Sequence, residues 1–370
     1  MPKNDINKRK SIQRAKTITQ LVICGVVVAF GGYYVKGLFD GNRTVPSLAE
    51  QNSSSEDIDV TTPSDVLDPD KIVCSPVAVK TKDKFYGDLI LVNDEYQYYS
   101  SGEEDLVNIT EKNEENGIYY FVTDGYDYSI LSAAYGPMVD MISDFYDKYG
   151  NDTLIIYGSY RTNEQQEQLY GEKQEGDESG DSPLVAKPGH SEHETGYAFD
   201  FSESETYDYE GQGDFKWIND NCYKYGFIVR YTKEKEKITK IRPEPWHFRY
   251  VGLPHAYYMT KNDLCLEEYI SMISEKYGYD GEHLEFADEN GKNYEVYFYP
   301  SDDGADETMV PVPTTHKYTI SGNNVDGFIV TVYKDEKPEA EISTTEPATE
   351  ATTAEEDTED SEYYGEDTVY

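Results

Sequence analysis

Cysteine is scarce in this sequence, four in 370 residues, which excludes a small scaffold stapled by disulfides. Basic residues are few as well: 32 Lys and Arg stand against 73 Asp and Glu, for a formal net charge of −41. A polyanion of that size is repelled by phosphate, which excludes nucleic acid and anionic lipid surfaces as partners of its acidic body. Histidine numbers six, and three of the six fall in two short windows, His190 with His193 and then His247. Long apolar runs are absent except at the start. Thr17 to Val35 carries no charge and follows Lys3, Lys8, Arg9, Lys10, Arg14 and Lys16. A bilayer core of ~30 Å takes roughly 20 helical residues, so this run just suffices for one span.

The basic flank predicts a cytoplasmic segment over 1–16, a transmembrane anchor over 17–36, and the rest of the chain outside the cell membrane. A cleaved signal peptide is the rival reading, but Ser47-Leu48-Ala49 lies too far beyond the apolar run to serve it. Residues 37–71 are Ser, Thr, Asp, Glu and Pro with few large apolar side chains, the composition of a disordered stalk. Residues 337–370 form an acidic, Thr-rich tail with the same expectation.

Between these lies material for a core. Strands are expected at 89–93, 117–122, 154–157, 197–201 and 227–231, from their β-branched and aromatic content. Leu131, Met138, Met141, Ile142 and Phe145 recur at helical spacing, predicting a helix over 128–150 that Gly150 stops. Further helices are expected over 164–170, 214–225 (stopped by Gly226) and 266–277, with a polar loop over 171–189. Alternating stretches at 294–299, 309–312 and 327–333 predict a small antiparallel unit. The division read from this is a catalytic domain over 72–262 and a helix-plus-β unit over 263–336. Cys222 and Cys265 are candidates for either a bridge or two free thiols.

The chemistry sits in the histidine windows. His193 and Asp200 are seven apart, with Gly196 between them to let the chain turn. If 197–201 is a strand, Ala198 and Asp200 share a face and the small side chain leaves room beside the carboxylate. His247 is the third candidate metal ligand. Glu244, three residues earlier, is a candidate general base, with Pro245 expected to break regular structure so that both side chains reach one cavity. Arg161, at the end of the 154–157 strand, is a candidate oxyanion partner. His190 is a neighbour without a needed role, and His255, His283 and His316 are packed or surface residues. Trp246 reads as a core or wall residue.

Three motifs carry a resemblance: Gly158-Ser159-Tyr160-Arg161, then Ser191-x-His193-x-x-Gly196-x-Ala198-x-Asp200, then Glu244-Pro245-Trp246-His247. In order and spacing they resemble the D-alanyl-D-alanine carboxypeptidases of the VanY type, of the M15 zinc metallopeptidase family, which shares its fold with Hedgehog signalling domains. The resemblance spans about Leu89 to Gly252. It implies an α+β fold with a small, mainly antiparallel sheet, and one zinc per chain on His193, Asp200 and His247. It implies Glu244 as base, Arg161 at the transition state, and Gln166 and Ser191 as substrate contacts. The substrate class it implies is the peptidoglycan stem peptide, losing its terminal D-alanine. One departure is that the family more often has Ser-Gly before Tyr-Arg, where this chain has Gly158-Ser159. The residues leave open an L,D-carboxypeptidase or endopeptidase on the same fold, and a non-catalytic wall-binding module. Retention of both Arg161 and Glu244 favours an enzyme.

Overall fold

The computed structural model describes residues 72–118, 122–123, 125–176 and 185–338. The expected cytoplasmic segment, anchor and stalk lie outside the described residues, as does nearly all of the acidic tail. Among the described residues no helix is long and apolar enough to cross a membrane.

In chain order the elements are β1 (Cys74–Lys80), β2 (Leu106–Asn108), α1 (Ile109–Glu115), β3 (Val122–Thr123), β4 (Ser129–Leu131) and α2 (Ser132–Tyr149). Next come β5 (Leu154–Gly158), α3 (Asn163–Gly176), β6 (Ala198–Glu203), α4 (Lys216–Asn221), β7 (Phe227–Tyr231), α5 (Glu236–Thr239) and β8 (Glu244–Tyr250). The chain closes with α6 (Leu253–Lys261), α7 (Leu266–Lys276), β9 (Leu284–Ala287), β10 (Asn293–Pro300), β11 (Glu307–Pro313), β12 (Lys317–Gly322) and β13 (Gly327–Tyr333).

The architecture is mixed α/β around a five-stranded sheet of order β3-β5-β6-β8-β7, parallel between β3 and β5 and antiparallel elsewhere. Period-2 alternation sorts β6: Phe199 and Phe201 enter the core beneath α2, while Asp200 faces the other side. The helix supplies Met138, Met141, Ile142 and Phe145 to that core, all fully buried, as the spacing predicts. Phe199 stacks on Phe248 of the neighbouring strand at 5.7 Å between ring centroids. Each such side chain contributes on the order of 2 kcal/mol by burial. Gly150 (φ +65°) ends α2 with its N–H on the Tyr146 carbonyl, 2.7 Å.

Local predictions differ from the fold in several places. Leu89 to Asn93 is buried but pairs with no strand. Instead, Leu89 N–H donates to Ser321 Oγ (3.0 Å), Leu91 N–H to the Asn323 carbonyl (3.1 Å), and the Leu91 carbonyl accepts from Asn324 Nδ2 (2.7 Å). A turn thus supplies what a strand partner would. The helix expected over 214–225 is α4 flanked by two 3₁₀ turns, Gly213–Phe215 and Cys222–Tyr225. The loop expected from Gly171 begins later, because α3 runs on to Gly176; residues 177–184 lie outside the described residues.

The C-terminal strands form an antiparallel sheet of order β12-β13-β10-β9. Two features tie it to the rest of the chain. β11, expected as a strand of that unit, lies outside the sheet but packs on it through Val310 and Val312, and pairs along its whole length with β1, from Cys74 opposite Pro313 to Lys80 opposite Glu307. One apolar cluster joins Leu89, Ile228 and Val251 to Ile270, Val296 and Ile329, so a common core crosses the boundary read at 262. Cys74, Cys222 and Cys265 are free thiols, which settles the question of a Cys222–Cys265 bridge.

Candidate metal and catalytic site

Asp200 on β6 lies directly across the ladder from His247 on β8, with Oδ1 and Nδ1 3.0 Å apart. His193 arrives from a 3₁₀ turn, Glu192–Thr195, and places Nε2 3.3 Å from Asp200 Oδ2. Ser191 and Glu194 cap that turn: Ser191 Oγ accepts from His193 N–H (3.3 Å), and the Glu194 carboxylate accepts from Ser191 N–H (3.2 Å) and Gly189 N–H (2.8 Å). Gly196 ends it at φ +74°, where an added Cβ would press Leu131 Cγ at 3.0 Å. The αL conformation and the close approach both require glycine there.

The second nitrogen of each imidazole is already engaged. His193 Nδ1 lies 2.8 Å from the Ser159 carbonyl, which only accepts, so Nδ1 carries the hydrogen and the Nε2 lone pair faces Asp200. His247 Nε2 lies 3.3 Å from Glu192 Oε2, which leaves Nδ1 toward Asp200. Asp200 Oδ1 is covered, with His247 Nδ1 as its near polar neighbour at 3.0 Å. Two lone pairs and a carboxylate therefore converge, with all three donor atoms within 4.8 Å of one another. Two imidazole nitrogens and one carboxylate, with a place left over, are the donor types a catalytic zinc takes, so the donor set fits zinc.

Electrostatics agree with a cation site. Burial pushes the Asp200 carboxyl up, but His193 and His247 outweigh it and hold the group well below the usual carboxylate range. Burial pushes His247 down, but its contacts with Asp200 and Glu192 prevail and raise it to about 9. His193 is lowered by burial and then by the Arg161 charge. A metal ion supplies the positive charge that the His247 proton otherwise supplies, so uptake displaces that proton.

Glu244 opens β8, half-buried. Burial raises its carboxyl, Asp200 adds to that, and His247, Arg242 and Arg161 pull it back. The expectation that Pro245 breaks the strand is corrected here: Glu244–Tyr250 is one continuous strand. Residues three apart on a regular strand face opposite sides, and the irregular register between β7 and β8, from Val229 to Tyr231, is what re-aims Glu244.

Arg161 follows β5, its N–H on the His193 carbonyl at 3.1 Å. Its guanidinium lies within the fields of Asp200, Glu194 and Glu244, and Nε is buried with no hydrogen-bond partner. Gln166 is buried, donates through Nε2 to the Ala186 carbonyl (2.7 Å) and leaves Oε1 without a partner. Ser191 is engaged in capping the His193 turn. Gly158 leaves room beside the carboxylate: a Cβ there would stand 2.8 Å from Asp200 Oδ2.

The remaining histidines lie outside the ligand set. His190 meets the Asn93 carbonyl, His255 meets Tyr269, His283 meets Glu295, and His316 meets Thr315. Trp246 packs against the main core. Sequence reasoning passed over Glu192, Arg230 and Arg249. The signal was an arginine inside each of two apolar strands, Phe-Ile-Val-Arg230-Tyr and His-Phe-Arg249-Tyr, where a charge needs a buried partner.

Comparison with known proteins agrees with this site. The family model for VanY, D-alanyl-D-alanine carboxypeptidase, matches residues 134–253, which contain every ligand and both catalytic candidates. A D-alanyl-D-alanine carboxypeptidase of Enterococcus faecium is 36% identical over 256 residues, 68% of this chain and 78% of that protein. The putative carboxypeptidase YodJ of Bacillus subtilis is 52% identical over 95 residues, 24% of this chain and 34% of its own. The crystal structure of the vancomycin resistance D,D-dipeptidase VanXYg, in complex with a D-Ala-D-Ala phosphinate analog, superposes with a TM-score of 0.61 at 29% identity. It covers 70% of this chain and 99% of that one. The chain belongs to the VanY family of D-alanyl-D-alanine carboxypeptidases.

Proposed function

We propose that this carboxypeptidase removes the C-terminal D-alanine from peptidoglycan stem peptides, using one zinc ion per chain held by His193, Asp200 and His247. The observation that carries this is the convergence of those three donors beside a half-buried Glu244 and an Arg161 whose Nε has no partner. Zinc, when bound there, supplies a Lewis acid and lowers the pKa of water. Glu244 takes the proton from the attacking water and returns one to the departing D-alanine amine. Arg161 faces the oxygen on which negative charge develops. The buried walls strengthen both interactions by excluding solvent.

The basic segment 1–16 and uncharged run 17–35 support a single membrane anchor, with the cytoplasmic N-terminus inside and the catalytic part outside at the wall. Recovery of the full chain from the soluble cytoplasmic fraction would remove that part of the proposal. For the reaction, mass spectrometry of muropeptides after incubation is decisive. Conversion of pentapeptide to tetrapeptide is expected, whereas loss of D-alanine from tetrapeptides alone would assign an L,D-specificity.

A further inference from the structure

Behind the metal ligands lies a charge network that the chemistry above does not use, with Glu192, Arg230 and Arg249 fully buried and Glu267 at its partly exposed end. Glu192 Oε1 accepts from Arg230 Nε (2.8 Å) and from Arg249 Nη1 (2.9 Å), while Oε2 faces His247 Nε2 (3.3 Å). The two oxygens thus have separate duties. Arg230 turns its other edge to Glu267 of α7 in a two-pronged contact, Nη1 to Oε2 at 2.9 Å and Nη2 to Oε1 at 2.7 Å. Arg249 Nη2 donates to the Asp88 and Ile90 carbonyls, both at 3.0 Å. Apolar residues of similar volume commonly stabilise such a position as well as buried ion pairs do, so stability alone does not account for the set.

We propose that Glu192 is a positioning residue for His247, and that the chain Glu267–Arg230–Glu192–His247 makes the C-terminal helix α7 part of the metal site. With Oε1 pinned by two guanidiniums, the carboxylate cannot rotate, and Oε2 holds the hydrogen of His247 on Nε2. Nδ1 is thereby kept as the ligand atom, facing Asp200. Glu267 acts one step back. Its planar, two-point contact fixes the Arg230 fork, and that fork sets the angle of Glu192. The C-terminal unit, which contributes no candidate ligand or base, gains a role by this route. The inference rests on the reading of His193, Asp200 and His247 as zinc ligands.

The test is zinc affinity of the purified full chain, measured by competition with a chelator of known affinity. Glu192→Gln is expected to weaken zinc by about 10–100-fold, and Glu267→Gln to weaken it in the same direction by a smaller factor. Wild-type affinity in Glu192→Gln overturns the proposal, and wild-type affinity in Glu267→Gln overturns the link to α7. If Glu192→Gln does not fold, Glu192→Asp keeps the charge between the arginines but withdraws it from His247. Weaker zinc binding by a variant that still melts cooperatively when zinc-free is expected, and unchanged binding overturns the role. Nitrogen NMR of the zinc-loaded wild-type chain must also find the His247 hydrogen on Nε2; a hydrogen on Nδ1 overturns it without any variant. A wild-type chain that binds no zinc would instead defeat the metal-site reading, an outcome these arms keep separate.

Discussion

At the residue scale the site asks two side chains to work against their surroundings. Glu244 must be ionised to take a proton, yet burial raises its pKa above the ordinary 4.5. Activity is therefore expected to rise with pH as Glu244 ionises, along an acid limb that burial moves upward; an acid limb that survives unchanged in the residual activity of Glu244→Gln would assign the base elsewhere. Glu244→Gln is expected to retain zinc by elemental analysis while hydrolysis falls by about 10²–10⁴-fold. Burial lowers the pKa of Arg161, and the charges of Asp200, Glu194 and Glu244 offset part of that. Arg161→Ala should lower kcat by about 10²–10³-fold, or roughly 3–4 kcal/mol of barrier, judged from other oxyanion donors. A change confined to KM would make Arg161 a ground-state contact. These residues were legible in the sequence because each sits in a short motif. Glu192 sits in one too, beside His193, but its hydrogen-bond partner is His247, 55 positions away. Nothing in local spacing announces that.

At the element scale, the joint among α6, α7 and β13 turns on one imidazole. His255 meets Tyr269 OH at 2.8 Å and Thr331 Oγ1 at 3.0 Å, and burial pushes it down to about 3. The unfolded chain, with histidine near 6.5, binds the proton first. Stability from this group is thus complete above pH 6.5 and is lost as pH falls toward 3, by roughly 4 kcal/mol over the window. Urea denaturation at pH 7.5 and 4.5 should show the loss in the wild type and a reduced loss in His255→Gln. An equal loss in both would place it on other groups. Elements with strong local signals were readable: β7 occupies 227–231 as expected, and α2 follows its apolar spacing. Weakly patterned ones were not. The strand β12, Lys-Tyr-Thr-Ile-Ser-Gly, pairs only with β13 at a sheet edge, so half its faces stay polar. The segment Leu89 to Asn93 has strand composition, but its backbone groups are met by a turn some 230 residues later.

At the scale of the whole molecule, the core shared across residue 262 and the β1–β11 pairing make residues 72–338 a single cooperative body. Calorimetry of that span should give one transition, and a chain ended at 262 should give none, because it leaves Ile228 and Val251 without their cover. Two separated transitions would show independent units. Zinc at about 100-fold its Kd should add ~2.7 kcal/mol to stability, so chelation should lower the melting temperature as well as abolish hydrolysis.

The sequence by itself determined the family and singled out the candidate ligands, base and arginine, because metal chemistry restricts residue type and each motif is encoded within a dozen positions. It also determined α2 and the strands β5, β6 and β7 of the central sheet, whereas β8, begun by Glu244-Pro245, was not legible. Tertiary structure decided which nitrogen of each histidine faces Asp200, that Gly158 sits against Asp200, and how Glu244 turns inward. It also decided that the C-terminal helix reaches the metal site through Arg230. Those are properties of side chains meeting across strands and between distant segments, and no local pattern of residues records such meetings.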